Sequence, residues 1–325
     1  MQNNGKVDVV IALLCPGQGS QTPGLLRDWL EIEGAREFLQ SLSDAAEIDL
    51  ISLGTSADAE EIKDTAVAQP LIVATALLTA QVLSKELGPV HSWADVVAGH
   101  SVGEFAAAAI AKSLTAQEAT AFVGVRGRAM AQAANQNDTG MSAVIGPNPD
   151  ETIENIKAAG LTPANVNGAG QVVAAGLLTD LDTFAQTPPE KTRVIPLSVA
   201  GAFHTEFMVP AQPAVAEFAD SLSPADPRLT LLSNADGNPV TSGSQMVQRL
   251  VSQITSPVRW DLCQQTMVDK GVRAVIELAP GGVLAGLAKR AMKGIPSVAV
   301  KSPADLDKAL HLINEHRSAG TQLGE

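Results

Sequence analysis

A glycine-flanked serine, Ser101 in the motif GHSVG at residues 99–103, is the sequence feature that most constrains the fold of this chain. The motif follows the short apolar run VVA at residues 96–98 and precedes an alanine-rich helical stretch at residues 104–111. This order predicts a strand, a sharp turn and a helix, with the serine hydroxyl exposed on strained backbone at the tip. The start of the helix offers unpaired N–H groups and a positive dipole end, which are suited to stabilise an oxyanion.

Helical and strand-like segments alternate along the chain, which predicts an α/β fold class. We expect a large domain with a short, mostly parallel sheet surrounded by helices, similar to the core of α/β-hydrolases. The first strand is predicted at residues 7–14, which are apolar apart from Asp8. A helix at about residues 68–86 has Pro70 in its predicted first turn.

The order of predicted strands and helices changes near residue 140. Strands predicted at residues 141–145, 163–167, 171–175 and 193–198, with helices at 151–159 and 180–185, follow the βαββαβ order of a ferredoxin-like domain. We therefore expect a large domain in two parts, 1–137 and 202–317, interrupted by an inserted small domain at 138–201. The tail, residues 318–325, is predicted to be disordered.

Composition and charge exclude several classes of function. The net charge is −13, from 22 basic and 35 acidic residues, which argues against nucleic acid or an anionic membrane as the main partner. The only two cysteines, Cys15 and Cys263, are too few to form a metal site and are expected to be buried thiols in a reducing compartment. The sequence starts without the apolar region of a signal peptide, and we expect no run of residues long enough to span a bilayer. These features predict a cytoplasmic protein.

A serine nucleophile needs a base, and the chain has five histidines. His204 is the best candidate because it lies where the inserted domain returns to the large one, and clefts between domains are common active sites. A surface-loop histidine is the alternative interpretation at this position.

Two further residues fit chemistry at the serine. Gln18 lies in the loop PGQGSQ at residues 16–21, which lacks the lysine of a P-loop and the third glycine of a dinucleotide turn. We expect the loop to lend the Gln18 N–H to an oxyanion hole whose second donor is the N–H of Val102. Arg126 lies in an otherwise apolar helix, and its partner is either an acidic side chain elsewhere or a carboxylate on the substrate.

Six short motifs occur in one order along the chain: PGQGSQ (16–21), AQP (68–70), GHSVGE (99–104), RG (126–127), NVN (165–167) and FH (203–204). With these motifs the chain resembles the malonyl-CoA:acyl-carrier-protein transacylase family, from about residue 11 to about residue 301. The resemblance is greatest to the actinobacterial members that act in fatty-acid synthesis.

The resemblance implies a role for each residue at the serine. Ser101 is the nucleophile that carries malonyl as an ester, and His204 is its base and then its acid. The family has no aspartate behind the histidine, and a backbone carbonyl, here that of Gln253, orients it instead. Gln18 and Val102 supply the oxyanion-hole amides.

The resemblance also implies which residues bind the acyl group. Arg126 clamps the malonyl carboxylate, and Gln69 lines the pocket and fixes the loop near Arg126. Asn165 and Asn167 face the cleft from the small domain. Phe203 matches the malonyl-selective form of its motif and disfavours methylmalonyl by steric crowding.

The implied reaction is ping-pong transfer of malonyl from malonyl-CoA to the phosphopantetheine thiol of acyl carrier protein, by a monomer without a cofactor or metal. Because carrier proteins of this pathway are acidic, docking requires a basic patch, for which Lys289 and Arg290 are the best candidates. Their alternative role is to stabilise the C-terminus of a helix.

Three other functions stay open on the sequence. A malonyl transferase of polyketide synthesis or malonate decarboxylase would have almost the same sequence pattern. A serine hydrolase acting on acyl thioesters would share the turn at Ser101, but it would be expected to have an acidic residue between serine and histidine. A non-catalytic binding module would leave both Ser101 and His204 without a purpose.

Overall fold

Two five-stranded sheets organise the computed structural model, which describes residues 10–322 and the side chains of that range up to residue 317. The strands of these residues are β1 (Val10–Cys15), β2 (Val96–Gly99), β3 (Thr139–Ile145), β4 (Thr162–Gly168), β5 (Gln171–Leu177), β6 (Arg193–Pro196), β7 (Thr230–Leu232), β8 (Val258–Arg259), β9 (Val272–Glu277) and β10 (Ser297–Ala299).

Helices cover the sheets and fill most of the connections between strands. The α-helices of the described residues are α1 (Ala35–Ala46), α2 (Leu50–Ser56), α3 (Thr65–Leu87), α4 (Gly103–Ile110), α5 (Ala116–Ala134), α6 (Pro149–Ala158), α7 (Leu178–Gln186), α8 (Gln212–Asp220), α9 (Gly243–Ser252), α10 (Trp260–Asp269), α11 (Val283–Ala291) and α12 (Leu306–Gln322). A short 3₁₀ helix, Gln253–Thr255, follows α9.

The first sheet has the strand order β10-β9-β1-β2-β7, and all its paired strands are parallel. Its central strands β1 and β2 are almost fully buried, as expected for apolar runs covered by helices on both faces. The carboxyl ends of β1 and β2 lie side by side, because Cys15 pairs with Gly99. The α/β class with a parallel sheet and surrounding helices is therefore confirmed.

The second sheet has the order β6-β3-β5-β4-β8. The first four strands pair antiparallel and come from residues 139–196, with α6 and α7 as their connecting helices. The fifth, β8, lies outside the predicted insertion at 138–201 and pairs parallel with β4. The second sheet thus includes backbone from both sides of residue 201.

Helix α3 differs from two expectations. It begins at Thr65, so Pro70 lies inside the helix instead of in its first turn. The expectation that no apolar run is long enough to span a bilayer is wrong for this helix. With 23 residues, it is long and apolar enough to cross a membrane, judged by length and composition alone. However, 78% of its apolar window is buried against the rest of the protein, which makes α3 a core helix.

The ends of the chain also differ in part. The first strand begins at Val10, and residues 7–9 of the predicted strand lie outside the described range. Helix α12 continues to Gln322, five residues into the tail for which the sequence predicts disorder. A regular helix needs only its own backbone hydrogen bonds, which a polar sequence does not prevent. Residues 323–325 lie outside the described range.

Candidate active site

Ser101 lies in the tight turn between β2 and α4, at the carboxyl end of the parallel sheet. Its φ is 51°, in the left-handed region that costs a non-glycine residue about 1–3 kcal/mol. A Cβ on Gly99 would overlap the backbone of Gly103, and one on Gly103 would overlap the carbonyl of Cys15. Both glycines are therefore required by close packing of backbone around the turn.

His204 contacts the hydroxyl of Ser101 within the same cavity. Its Nε2 lies 2.7 Å from Ser101 Oγ, and its Nδ1 lies 2.8 Å from the backbone carbonyl oxygen of Gln253. Because a carbonyl oxygen only accepts, Nδ1 carries the hydrogen and the lone pair of Nε2 faces the serine hydroxyl. Burial, together with the nearby positive charge of Arg126, lowers the pKa of His204 to about 3, so the imidazole is a neutral base at physiological pH.

Arg126 projects from α5 into the same place and is only 1% exposed. Its Nη1 donates to Gln69 Oε1 at 2.6 Å, and its Nη2 donates to Gln253 Oε1 at 2.9 Å and to Ser101 Oγ at 3.3 Å. Burial lowers the pKa of Arg126 to about 10, which still leaves it charged at pH 7. Its buried Nε–H has no hydrogen-bond partner among the described residues.

Gln18 and Val102 both line the cavity that contains Ser101. Within residues 10–322, neither N–H donates a hydrogen bond, whereas the N–H of Ser101 is already bound to Asn234 Oδ1 at 2.7 Å. Two free N–H groups beside a nucleophile are what a developing oxyanion requires.

The cavity itself measures ≈ 280 Å³, which is small for a ligand site and suits a short acyl group. Among the described residues that line it, Arg126 alone carries a formal charge at pH 7. Asn165, Asn167 and Phe203 all lie in its wall, and the family resemblance implies this position for the two asparagines. Asn167 Oδ1 lies 2.9 Å from His100 Nε2, which ties the second sheet to the serine turn.

Gln69 is buried, whereas Lys289 and Arg290, the predicted docking residues, are exposed. Gln69 lines the cavity, as the family resemblance implies, and its Oε1 accepts a hydrogen bond from Arg126 itself, whereas the resemblance implies that it fixes the loop near Arg126. Lys289 and Arg290 are exposed in the last turn of α11, and the opposite end of that helix, at Val283 and Leu284, borders the cavity.

Sequence reasoning missed two residues that the structure places beneath the turn. Asn234 follows β7, and its side chain contacts both Ser101 N and the Gly99 carbonyl. Glu104 is 5% exposed and accepts from the N–H of Asn234. The one signal available was the acidic residue at the end of GHSVGE, which also suits the first turn of an exposed helix.

Comparison with known proteins places this geometry in a family. The acyl transferase domain family matches residues 12–311 of the chain. The chain is 53% identical to the malonyl CoA-acyl carrier protein transacylase of Mycobacterium tuberculosis over 304 residues, which is 93% of this chain and 100% of the relative.

Two solved structures extend the comparison to the fold. MCAT from Mycobacterium tuberculosis superposes with a TM-score of 0.88 at 53% identity, covering 92% of this chain and 99% of that one. A malonyl-transacylase in complex with its type II PKS acyl-carrier protein gives a TM-score of 0.85 at 29% identity, covering 93% of this chain and 99% of that one. These matches confirm the resemblance predicted from the six motifs. The chain belongs to the acyl transferase family.

Proposed function

We propose that this enzyme transfers the malonyl group from malonyl-CoA to the phosphopantetheine thiol of acyl carrier protein and so supplies fatty-acid elongation. The observation that carries this proposal is the contact between Ser101 and His204 with the Arg126 guanidinium 3.3 Å from the same hydroxyl. The malonyl CoA-acyl carrier protein transacylases that match the whole chain support it, as does the neighbour bound to an acyl-carrier protein.

In the first half of the reaction, Ser101 Oγ attacks the thioester carbonyl carbon of malonyl-CoA. His204 Nε2 takes the hydroxyl proton, and the Gln253 carbonyl stabilises the imidazolium through Nδ1–H. The N–H groups of Gln18 and Val102 stabilise the tetrahedral oxyanion. The C–S bond then breaks, and His204 gives its proton to the CoA sulfur.

The second half reverses these roles with a new thiol. The phosphopantetheine sulfur of the carrier protein attacks the malonyl ester carbonyl while His204 takes its proton. The bond between the carbonyl carbon and Ser101 Oγ breaks, and the proton returns to Oγ. Substrates, Ser101 and His204 supply every proton and electron pair, so the proposed reaction needs no cofactor or metal.

Selectivity for malonyl follows from the position of Arg126. An acyl group esterified on Ser101 with a carboxylate two bonds beyond its carbonyl carbon meets the guanidinium, whose fork matches a carboxylate. Gln69 and Gln253 hold Arg126 in place. Phe203 lies in the cavity wall, where its bulk crowds an α-methyl group.

We place carrier-protein docking beside α11. Lys289 and Arg290 are exposed on this helix, and its first residues border the cavity through which a pantetheine arm would reach Ser101. An acidic carrier protein would meet positive charge there, although the whole chain is acidic.

We further propose that residues 138–201 form an inserted ferredoxin-like domain and that residues 1–137 with 202–317 form a hydrolase-like large domain. The strand order β6-β3-β5-β4, which places the fourth, first, third and second strands of the segment side by side, supports this division. Because Ser101, His204 and Arg126 all come from one chain, we propose that the enzyme works as a monomer, and we place it in the cytoplasm.

Initial-rate kinetics test the proposal. With malonyl-CoA and holo carrier protein both varied, we expect parallel double-reciprocal lines. Without carrier protein, we expect one burst of CoA stoichiometric with enzyme and no turnover, and no burst from Ser101→Ala. Continuous CoA release without carrier protein would identify a thioester hydrolase instead, and intersecting lines would exclude the covalent route.

A further inference from the structure

The turn that carries Ser101 is held at both ends by one side chain. The N–H of Ser101 donates to Asn234 Oδ1 at 2.7 Å, and Asn234 Nδ2 donates to the carbonyl oxygen of Gly99 at 2.8 Å. Asn234 is fully buried. Since the left-handed conformation of Ser101 is strained, it persists only where surrounding contacts enforce it, and these two hydrogen bonds do so.

A buried carboxylate extends this contact toward Arg126. Glu104 Oε1 accepts from the N–H of Asn234 at 2.7 Å, and Glu104 Oε2 accepts a short hydrogen bond from Gln253 Nε2. The same Gln253 nitrogen donates to the Ser101 carbonyl at 3.2 Å, which closes a ring of hydrogen bonds under the nucleophile. The other end of the Gln253 amide accepts from Arg126 Nη2.

Arg126 at one end and Glu104 at the other fix which group donates in each hydrogen bond to the Gln253 amide. A guanidinium can only donate, so the oxygen of the Gln253 amide must face Arg126 and its nitrogen must face Glu104. That nitrogen needs an acceptor, which an ionised carboxylate supplies. Burial raises the pKa of Glu104 to about 7, while the donors Asn234 and Gln253 and the charges of Arg126 and Arg249 favour the ionised form.

We propose that Asn234 and Glu104 are positioning residues for the transfer: Asn234 holds the Ser101 turn, and Glu104 orients the Gln253 amide that aims Arg126. This inference rests on the proposed roles of Ser101 and Arg126. Neither Asn234 nor Glu104 lines the cavity, so both act through the residues that do.

Asn234→Ala tests the first half of the inference. We expect kcat for CoA release to fall about 10²-fold, the effect of a misplacement of about 1 Å, with KM for malonyl-CoA little changed. The matched control is Ser233→Ala, on the same loop and 2% exposed. Within residues 10–322 its hydroxyl makes one hydrogen bond, accepting from the Ala235 N–H at 3.3 Å. We expect nearly wild-type kinetics from the control. An equal fall in both variants, or no fall in Asn234→Ala, would overturn this role.

Glu104→Gln tests the second half. Its new amide nitrogen would face the nitrogen of Gln253, and flipping Gln253 to relieve that clash would turn a donor toward Arg126. We therefore expect a raised KM for malonyl-CoA and a reduced preference for malonyl-CoA over acetyl-CoA. Combining Glu104→Gln with Gln253→Glu returns a donor and an acceptor to each contact between these two positions and Arg126. It also removes the donor to the Ser101 carbonyl, a loss that should slow malonyl and acetyl transfer alike and leave their ratio as the readout.

We expect the double variant to regain malonyl preference relative to Glu104→Gln, with thermal unfolding followed in both. A double variant that folds but regains no preference for malonyl-CoA over acetyl-CoA would overturn the orienting role of Glu104. If the double variant does not fold, the comparison of Asn234→Ala with Ser233→Ala still tests the inference. Failure of the wild-type enzyme to form a malonyl ester on Ser101 would instead overturn the proposed function. Normal wild-type acylation with unaffected variants would overturn this inference alone.

Discussion

Arg126→Ala removes the only charged side chain among the described residues that line the cavity. In the structure the guanidinium is buried and lies 3.3 Å from Ser101 Oγ, so a malonyl carboxylate would meet it away from bulk water. Truncating one partner of a buried, hydrogen-bonded charge pair costs about 2–5 kcal/mol. At about 1.36 kcal/mol for each tenfold, kcat/KM for malonyl-CoA should fall about 30-fold to about 5,000-fold.

The assay compares malonyl-CoA with acetyl-CoA, which lacks the carboxylate and should lose much less. Arg126→Ala also leaves Gln69 and Gln253 without their donor, so thermal unfolding is measured beside the kinetics. Arg126→Lys is the matched control, because it keeps the charge but loses the planar fork, and we expect intermediate selectivity. Equal losses with both acyl donors would refute the carboxylate clamp and make Arg126 a structural residue.

Three further predictions concern specificity, docking and pH. Phe203→Ala should raise the relative kcat/KM for methylmalonyl-CoA by about 10- to 100-fold, and an unchanged ratio would exclude steric selection by this ring. Lys289→Glu with Arg290→Glu should raise KM for carrier protein while self-acylation by malonyl-CoA stays intact, whereas unchanged carrier-protein kinetics would contradict docking there. Burial and a neighbouring guanidinium lower the pKa of His204 to about 3, so His204 stays neutral in the tested range. Burial raises the pKa of Glu104 to about 7, so acylation should slow as the pH falls through about 7 because Glu104 gains a proton. This acid limb should be absent from Glu104→Gln, and a limb near the ordinary histidine pKa of 6.5 that survives the substitution would contradict a neutral His204.

Local signals in the sequence predicted the parts of the site that short motifs encode. The apolar run, the glycines and the helical stretch around Ser101 sit within a few residues of one another, so the strand, turn and helix could be predicted together. The βαββαβ pattern from residue 140 likewise reflects local periodicity. The structure has these strands and helices in the same order along the chain, and all four strands belong to the second sheet.

Contacts between distant residues left no comparable signal. Asn234 and Glu104 are 130 positions apart, and each alone fits an ordinary loop or the first turn of a helix. The side chain of Gln253 was missed for the same reason, although its carbonyl was named through the family resemblance. Strand β8 has only two residues, too few for a period-two pattern, and it exists because β4 offers it an edge.

Intact-protein mass spectrometry after brief mixing with malonyl-CoA tests the central claim most directly. We predict that the wild-type enzyme gains the mass of one malonyl group, that Ser101→Ala gains none, and that holo carrier protein removes the adduct. An adduct that persists in Ser101→Ala, or CoA release without any adduct on the wild-type enzyme, would contradict a malonyl ester on Ser101.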